Sequence, residues 1–569
     1  MKVSDYIATF LKVNGVESVY EMIGGMTAHI IDSIYNIGGI KIISLHHEQA
    51  AGFAAEGNAR ITGVPGVSIA TSGPGATNLI TAIGSCFFDS VPTIFITGQV
   101  NTFEQKPLDS NIRQLGFQET DIVSIVRPIT KKTYRITEVK ELTGVLKEAF
   151  KVALEGRPGP VLIDIPMDIQ RGDVEVIGDL KVGIGDDQAK SHNLSETFVK
   201  LRKAISNARK PLILVGGGIR SSNTAGNLES FVETIGFPVV YSLMGWDAYC
   251  GEKYRVGFIG SYGNRWANFA LSECDLLIVL GSRLDVRQTG AQTDVFAKDK
   301  TIFHIDCIED EINNRVKNCV AVNVSLKKFL CDGTAWFKKQ DEPINCPIRW
   351  LDQIEQLKQK YSDLDEIESS NNINPNFLLR ELSKKANSSI NYVTDVGQHQ
   401  MWAAQSIIPK KGQRFVTSGG MGAMGFALPT SIGIHIGSGN PVILIAGDGG
   451  FQCNIQELET ISKHNFPIKM LVLNNNSLGM VRQFQEAYFD NRYQSTVWGY
   501  SAPSFVKVSS AYGIQSSYLQ NQEQIEEKLN WFVEGEVPKL LEVNINTETP
   551  VNPKLTYGQP LSSMTPPKV

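Results

Sequence analysis

A chain of 569 residues with 42% hydrophobic and 20% charged side chains has the make-up of an ordinary soluble globular protein and the length of three or four domains. Its net charge of −5 argues against nucleic acid as a main partner, and no apolar run is long enough to span a bilayer. The N-terminus lacks the apolar core of a signal peptide and the eight cysteines contain no C-x-x-C pair, so a cytoplasmic protein with reduced thiols is expected, Cys274 and Cys307 among its core residues.

From residue 1 to about 170, helical periods alternate with short β-branched runs. Strands are predicted at 42–44, 67–71, 93–97 and 161–165, each ending at Gly, Pro or polar residues as in parallel α/β sheets. Residues 171–192, rich in Gly and Asp, read as a linker. A second block carries strands at 212–215, 239–242, 276–280 and 302–305. Residues 341–376 form a second linker region with a polar helix and the Ser369-Ser370-Asn371-Asn372 run. A third block has strands at 392–394, 415–417, 442–445, 470–473 and 540–543, and the proline-rich segment from 550 has no period. The expected fold is α/β: three doubly wound parallel-sheet domains at 1–170, 191–340 and 370–550, with a tail at 551–569.

The third block carries the most specific pattern. Gly447-Asp448-Gly449 ends the apolar run 442–446, and Asn474-Asn475 ends the run 470–473. Each strand delivers an oxygen-bearing side chain at its carboxyl end, where open α/β sheets hold ligands. Asp448 and Asn475 are 27 residues apart, room for one crossover helix between parallel strands. A carboxylate and an amide oxygen suit Mg²⁺, which completes its octahedron with phosphate and water, and the glycines let backbone approach a phosphate. A lone G-D-G is an ordinary turn; the whole span to Gly479 reads as a Mg²⁺-diphosphate clamp. In the first block Glu48 opens a small-residue helix, a place where the helix dipole alone favours a carboxylate. Thr71-Ser72-Gly73-Pro74-Gly75-Ala76-Thr77-Asn78 follows the next strand and makes a backbone cradle for polar groups. Gly216-Gly217-Gly218 after a strand of the second block is, by itself, a weak nucleotide signal.

Together with Asp89-Ser90-Val91-Pro92, Phe117-Gln118-Glu119-Thr120, Val396-Gly397-Gln398-His399 and the run 417–426, these segments resemble the acetolactate synthase family of thiamine diphosphate enzymes over nearly the whole chain. The resemblance implies roles. Glu48 matches the carboxylate that bonds N1′ of the cofactor's aminopyrimidine, so that the 4′-imino group can take the C2 proton. Gly422 matches the residue whose carbonyl receives the 4′-amino group, and Met424 the apolar wedge that bends the cofactor; without the flanking glycines a methionine there would read as plain core packing. Gln398 and His399 match diphosphate-side residues. Gly25, Val396, Gly397, Gly449, Gly450, Leu478, Gly479 and Met480 fall in the same cofactor segments. Asp448 and Asn475 would bind Mg²⁺, with Ser477 completing the shell through its carbonyl. Phe117 and Gln118 would line the substrate side, and Arg287 matches an arginine for a substrate carboxylate. The middle block resembles a flavin domain, in which Gly216, Gly217, Gly218, Ser242, Leu243, Met244, Gly281, Arg283, Asp285 and Asp306 would contact an FAD that transfers no electrons in the carboligation. The alternative there is a decayed nucleotide site kept for packing. In the family the glutamate and the diphosphate site come from different subunits, which implies a homodimer or homotetramer.

Three positions and one segment depart from the family. Phe484 stands where tryptophan is usual, Met26 where alanine is, and Val286 where aspartate is, and the segment 552–560 is unlike the usual tail. That C-terminal segment resembles relatives that act in surface-polysaccharide and branched deoxysugar synthesis and move the acetyl unit of pyruvate onto a nucleotide-bound ketosugar. The favoured expectation is that reaction, with small-molecule substrates. The alternatives are an acetolactate synthase joining two pyruvates, a flavin-dependent pyruvate oxidase, and a cofactor-binding paralogue with only a structural role.

Overall fold

The structure is a computed structural model that describes residues 1–107, 110–176, 178–183, 193–367, 372–556 and 558–568. Residues 184–192 of the first linker, Ser369, Ser370 and Asn371 of the second, and Tyr557 of the tail lie outside the described residues.

Three six-stranded parallel sheets organise the chain. The first contains β1 (Ser18–Met22), β2 (Lys41–Ser44), β3 (Gly66–Ala70), β4 (Thr93–Gln99), β5 (Lys132–Arg135) and β6 (Pro160–Pro166) in the order β2-β1-β3-β4-β6-β5. The second contains β7 (Pro211–Val215), β8 (Val239–Tyr241), β9 (Arg255–Phe258), β10 (Leu276–Leu280), β11 (Thr301–Asp306) and β12 (Val320–Asn323) in the order β12-β11-β10-β7-β8-β9. The third contains β13 (Asn391–Thr394), β14 (Phe415–Thr417), β15 (Val442–Gly447), β16 (Ile468–Asn474), β17 (Gln515–Leu519) and β18 (Lys539–Asn544) in the order β14-β13-β15-β16-β18-β17. The first and third sheets therefore share one connectivity. The second has the arrangement of dinucleotide-binding α/β folds, whose strand order reverses between its first and fourth strands, here β7 and β10.

Helices cover both faces of such sheets, so interior strands are continuous apolar runs. β3, β4, β6, β7 and β10 are buried at every position. The strands that hydrophobic runs do not reveal are β1, β5, β9, β12 and β17. Four of these lie at sheet edges, where Lys, Arg, Gln and Asn face water, and β1 is interrupted by Glu21.

The first and third sheets share a core. Helix Glu48–Thr62 packs against helix Ala427–Ser438 in backbone contact: a Cβ on Gly433 would lie 1.8 Å from the Ala54 oxygen, and one on Gly57 2.5 Å from the Thr430 oxygen. The tail is not structureless. β19 (Lys554–Leu555) pairs antiparallel with β20 (Met564–Thr565), and the Leu555 N–H donates to the Ser261 oxygen at 2.7 Å. Arg265, 2% exposed, pairs with Glu366 and donates to the Met564 and Pro566 carbonyls, which fastens the tail to the second sheet's domain. Cys274 is buried as expected, but Cys307 is exposed: it follows β11 at the sheet's carboxyl end, where the chain turns towards solvent.

Candidate active site

In the third domain the connectivity reverses between β13 and β15, and the turns after both strands converge there. β15 and β16 are adjacent and parallel, with Gly447 opposite Leu473, so Asp448 and Asn475 leave neighbouring strand ends. Asp448 is 2% exposed and receives the Tyr500 hydroxyl at 3.0 Å. Burial nevertheless raises its carboxyl to about 6, a shift that a bound cation would reverse. Asn475 donates to Gln398 Oε1 at 2.9 Å, while its own amide oxygen accepts from the Ser477 N–H at 3.2 Å. Gln398 is held further by Gln483 and the Thr549 carbonyl. Burial lowers the His399 imidazole to about 3, so the ring is neutral, and its Nε2 has no protein partner. The buried Ser477 hydroxyl is likewise unpartnered.

Glycines let these turns pack closely. A Cβ on Gly449 would lie 2.5 Å from Leu478 Cδ2 and 3.2 Å from Met424 Cε, one on Gly450 2.3 Å from Asp395 Oδ1, and one on Gly479 1.9 Å from Gln398 Oε1. The turn carrying Val396 and Gly397 is bound to the loop carrying Gly422 and Met424 through Asp395, whose carboxylate accepts the N–H groups of Val396, Gly425 and Ala427. Gly422 faces open space and needs glycine for its φ of +66° rather than for room. Met480 is half-buried against the adjoining core.

The same convergence occurs in the first domain, between β1 and β3. A Cβ on Gly24 would lie 2.4 Å from Thr71 Cβ, and Gly25 faces open space. Glu48 is 7% exposed; Asn78 Nδ2 donates to its Oε2 at 2.9 Å, and its Oε1 faces Gly75. Gln118, with φ +66°, packs on Gly73, and its neighbour Phe117 is 78% exposed. The two halves of the chain share no hydrogen bond between Glu48 and the Asp448–Asn475 pair among the described residues. They are tied behind the site instead, where the His46 N–H donates to the buried Glu457 and Asn454 bridges Gln49 to the Gly425 carbonyl.

A cavity of about 1250 Å³ opens at the reversal between β7 and β10. Gly217, Gly218, Ser242, Leu243, Met244, Gly281, Arg283, Asp285 and Asp306 all line it. Gly216 lies just behind, where a Cβ would meet the Gly281 oxygen at 2.1 Å. The volume exceeds the usual small-ligand pocket and suits an extended ligand. Arg287 also lines it, and its guanidinium donates to the Gly419 carbonyl at 2.8 Å, so it reaches the loop that leads to Gly422. Sequence reasoning missed Tyr500, Asp395 and Gln483: the part each plays depends on a partner distant in the chain, Asp448, Gly425 and Gln398 respectively.

Among the described residues no group of three His, Cys, Asp or Glu side chains offers a metal site by itself. Asp448 and Asn475 bring one carboxylate and one carboxamide to neighbouring strand ends.

Residues 1–125 match the thiamine pyrophosphate enzyme N-terminal TPP binding domain, residues 199–332 the thiamine pyrophosphate enzyme central domain, and residues 395–543 the C-terminal TPP binding domain. The acetolactate synthase isozyme 2 large subunit of Escherichia coli (strain K12) is 36% identical over 99% of this chain and 99% of its own. The acetolactate synthase large subunit of Lactococcus lactis subsp. lactis (strain IL1403) is 36% identical over 98% of this chain and 94% of its own. Acetolactate synthase 2, chloroplastic, of Nicotiana tabacum is 35% identical over 98% and 84%.

Proposed function

Because this chain belongs to the acetolactate synthase family of thiamine diphosphate enzymes, we propose that it decarboxylates pyruvate and joins the remaining two-carbon unit to a second pyruvate, giving acetolactate. The chain is a thiamine diphosphate-dependent carboligase of the acetolactate synthase kind; the choice of acceptor is the proposal. The observation that carries it is 36% identity to a protein of that name across 99% of both chains.

The residues fit the cofactor and its metal. Asp448, Asn475 and the Ser477 carbonyl would hold Mg²⁺. The unpartnered His399 Nε2, Gln398, and the backbone at Gly397, Gly449, Gly450 and Gly479 would hold the diphosphate. Bound thiamine diphosphate supplies a nucleophilic carbon and an electron sink for the decarboxylation. Glu48 would hold a proton at the pyrimidine N1′, its carboxylate oriented by Asn78. Met424, 38% exposed, and Phe117 would exclude water from the reacting carbon, and Arg287 would orient a substrate carboxylate.

Glu48 and the Asp448 pair would meet across a subunit boundary in a homodimer or larger homo-oligomer. Phe103, Phe117, Met421 and Phe484 are large apolar side chains left exposed on the single chain, which supports that reading. The strand order of the second sheet and the cavity at its reversal support bound FAD.

One observation favours a second acceptor. Phe484, 54% exposed on helix Gly479–Tyr488, lies 4.6 Å from the Tyr488 ring and 5.9 Å from Phe489, an aromatic wall that would suit the face of a ketosugar. Competition decides: equal pyruvate is supplied with and without a nucleotide-linked 4-ketosugar, and products are resolved by mass spectrometry. Acetolactate in both tubes supports the proposal; an acetylated sugar displacing it supports the second reading.

A further inference from the structure

Helix Ile80–Asp89 ends on an aspartate whose side chain is 2% exposed. The carboxyl end of a helix is the wrong place for a buried carboxylate on dipole grounds, so other contacts must hold it. Asp89 Oδ2 accepts the Gly419 N–H at 3.0 Å, and Oδ1 accepts the Gly420 N–H at 2.7 Å. Arg60 Nη2 donates to Oδ2 at 2.7 Å, and Arg60 is itself paired with the fully buried Glu56. The Gly419 carbonyl receives Arg287. A single two-residue turn of the third domain is thus gripped from the first domain through both its N–H groups and from the second through its carbonyl. Gly420 is two residues from Gly422 and four from Met424, and the turn also lines the large cavity. Nothing in the reaction as described uses the Asp89-Ser90-Val91-Pro92 segment.

We propose that Asp89 is a positioning residue for the carboligation: its carboxylate sets the Gly419–Gly420 turn and so aims the Gly422 carbonyl and the Met424 side chain at the thiamine ring. This rests on the reading that Gly422 and Met424 hold thiamine diphosphate. Asp89→Asn keeps the size but turns an amide N–H towards a backbone N–H, which displaces the turn while Arg60 keeps Glu56. Gly420→Ala disturbs the turn from the other side, since its Cβ would meet Phe88 Cβ at 2.6 Å and Asp89 Oδ1 at 3.0 Å, and it keeps the Asp89 carboxylate and its charge.

The test is calorimetric titration of the full-length protein with thiamine diphosphate in the presence of Mg²⁺, alongside kcat and KM for pyruvate at saturating cofactor. Wild type, Asp89→Asn, Gly420→Ala and, as a control on the cofactor contact itself, Met424→Ala are compared. Asp89→Asn and Gly420→Ala should each raise the cofactor Kd and lower kcat by about tenfold, the scale of one charge-assisted hydrogen bond, with pyruvate KM unchanged. Wild-type Kd and kcat in both variants, with weakened binding in Met424→Ala, would overturn the positioning role alone. Unchanged binding in Met424→Ala as well would overturn the reading that Gly422 and Met424 hold the cofactor, and the proposal with it. A change confined to KM for pyruvate would also overturn it. If Asp89→Asn does not fold, Gly420→Ala decides by the same criteria.

Discussion

Replacing Glu48 with glutamine separates chemistry from folding. The Glu48 carboxylate is 7% exposed, and its Oε2 accepts one hydrogen bond, from Asn78 Nδ2 at 2.9 Å. Glutamine keeps the length and an oxygen for Asn78, so the structural cost is the difference between a charge-assisted and a neutral hydrogen bond, about 1 kcal/mol. In domains of this size that lowers Tm by only about 2–4 °C. The chemical cost is larger, because an amide cannot hold and release the N1′ proton. Loss of a positioned acid-base group removes typically 10²–10⁴ in rate, about 3–5 kcal/mol of barrier. Glu48→Gln should therefore bind thiamine diphosphate within about threefold of wild type and release CO₂ from pyruvate at least about a hundredfold more slowly. The assay is CO₂ release at saturating cofactor and Mg²⁺, with cofactor occupancy measured by calorimetry and Tm by scanning calorimetry. Turnover near wild type with occupied cofactor would refute the assignment of Glu48, as would a loss of turnover that tracks lost cofactor.

Asp448→Ala should weaken Mg²⁺-dependent thiamine diphosphate binding by at least about a hundredfold, above the range for outer-shell partners of a metal; unchanged calorimetric affinity would place the metal elsewhere. The purified protein should be yellow and release FAD on denaturation, while Gly218→Val, whose Cβ would lie 2.8 Å from Gly281 Cα, should lose the flavin. That FAD should stay oxidised through anaerobic pyruvate turnover; bleaching of its visible absorption would favour an oxidase. Asp164, fully buried with Thr97 and Gln99 as partners, is raised by burial from 3.8 to about 6. Its protonated form is favoured in the fold, so the stability it contributes is complete below about pH 3.8 and is lost as pH rises through about 6. That interval corresponds to about 3 kcal/mol, so the wild-type unfolding free energy should fall relative to that of Asp164→Asn between about pH 4 and 6. Parallel pH profiles would contradict this.

The sequence reveals most where a property is local. Buried parallel strands announce themselves as apolar runs, and the residues after them, Asp448, Asn475, Glu48 and the 71–78 turn, are fixed at the strand ends by chain order. What it conceals is relational. The matching connectivity of the first and third sheets depends on which edge each polar strand joins, and β5 and β17 carry no apolar run to show it. Tyr500 reaches Asp448 from 52 positions away, and Asp89 reaches Gly419 from 330. The tail reads as irregular because its two paired strands are only two residues each, and Leu555, Met564 and Pro566 fasten it to the second sheet's domain. Phe484 and Met26 suggest a changed acceptor when compared position by position, whereas full-length similarity to acetolactate synthases weighs towards pyruvate.

The fate of pyruvate supplied alone is the most direct measurement. Carbon-13-labelled pyruvate is incubated with the purified protein, thiamine diphosphate and Mg²⁺, and the products are followed by NMR. The expected result is acetolactate labelled from two pyruvates, with CO₂ released once per product formed. Acetate accompanied by flavin reduction, acetaldehyde as the main product, or pyruvate left unconsumed would contradict it.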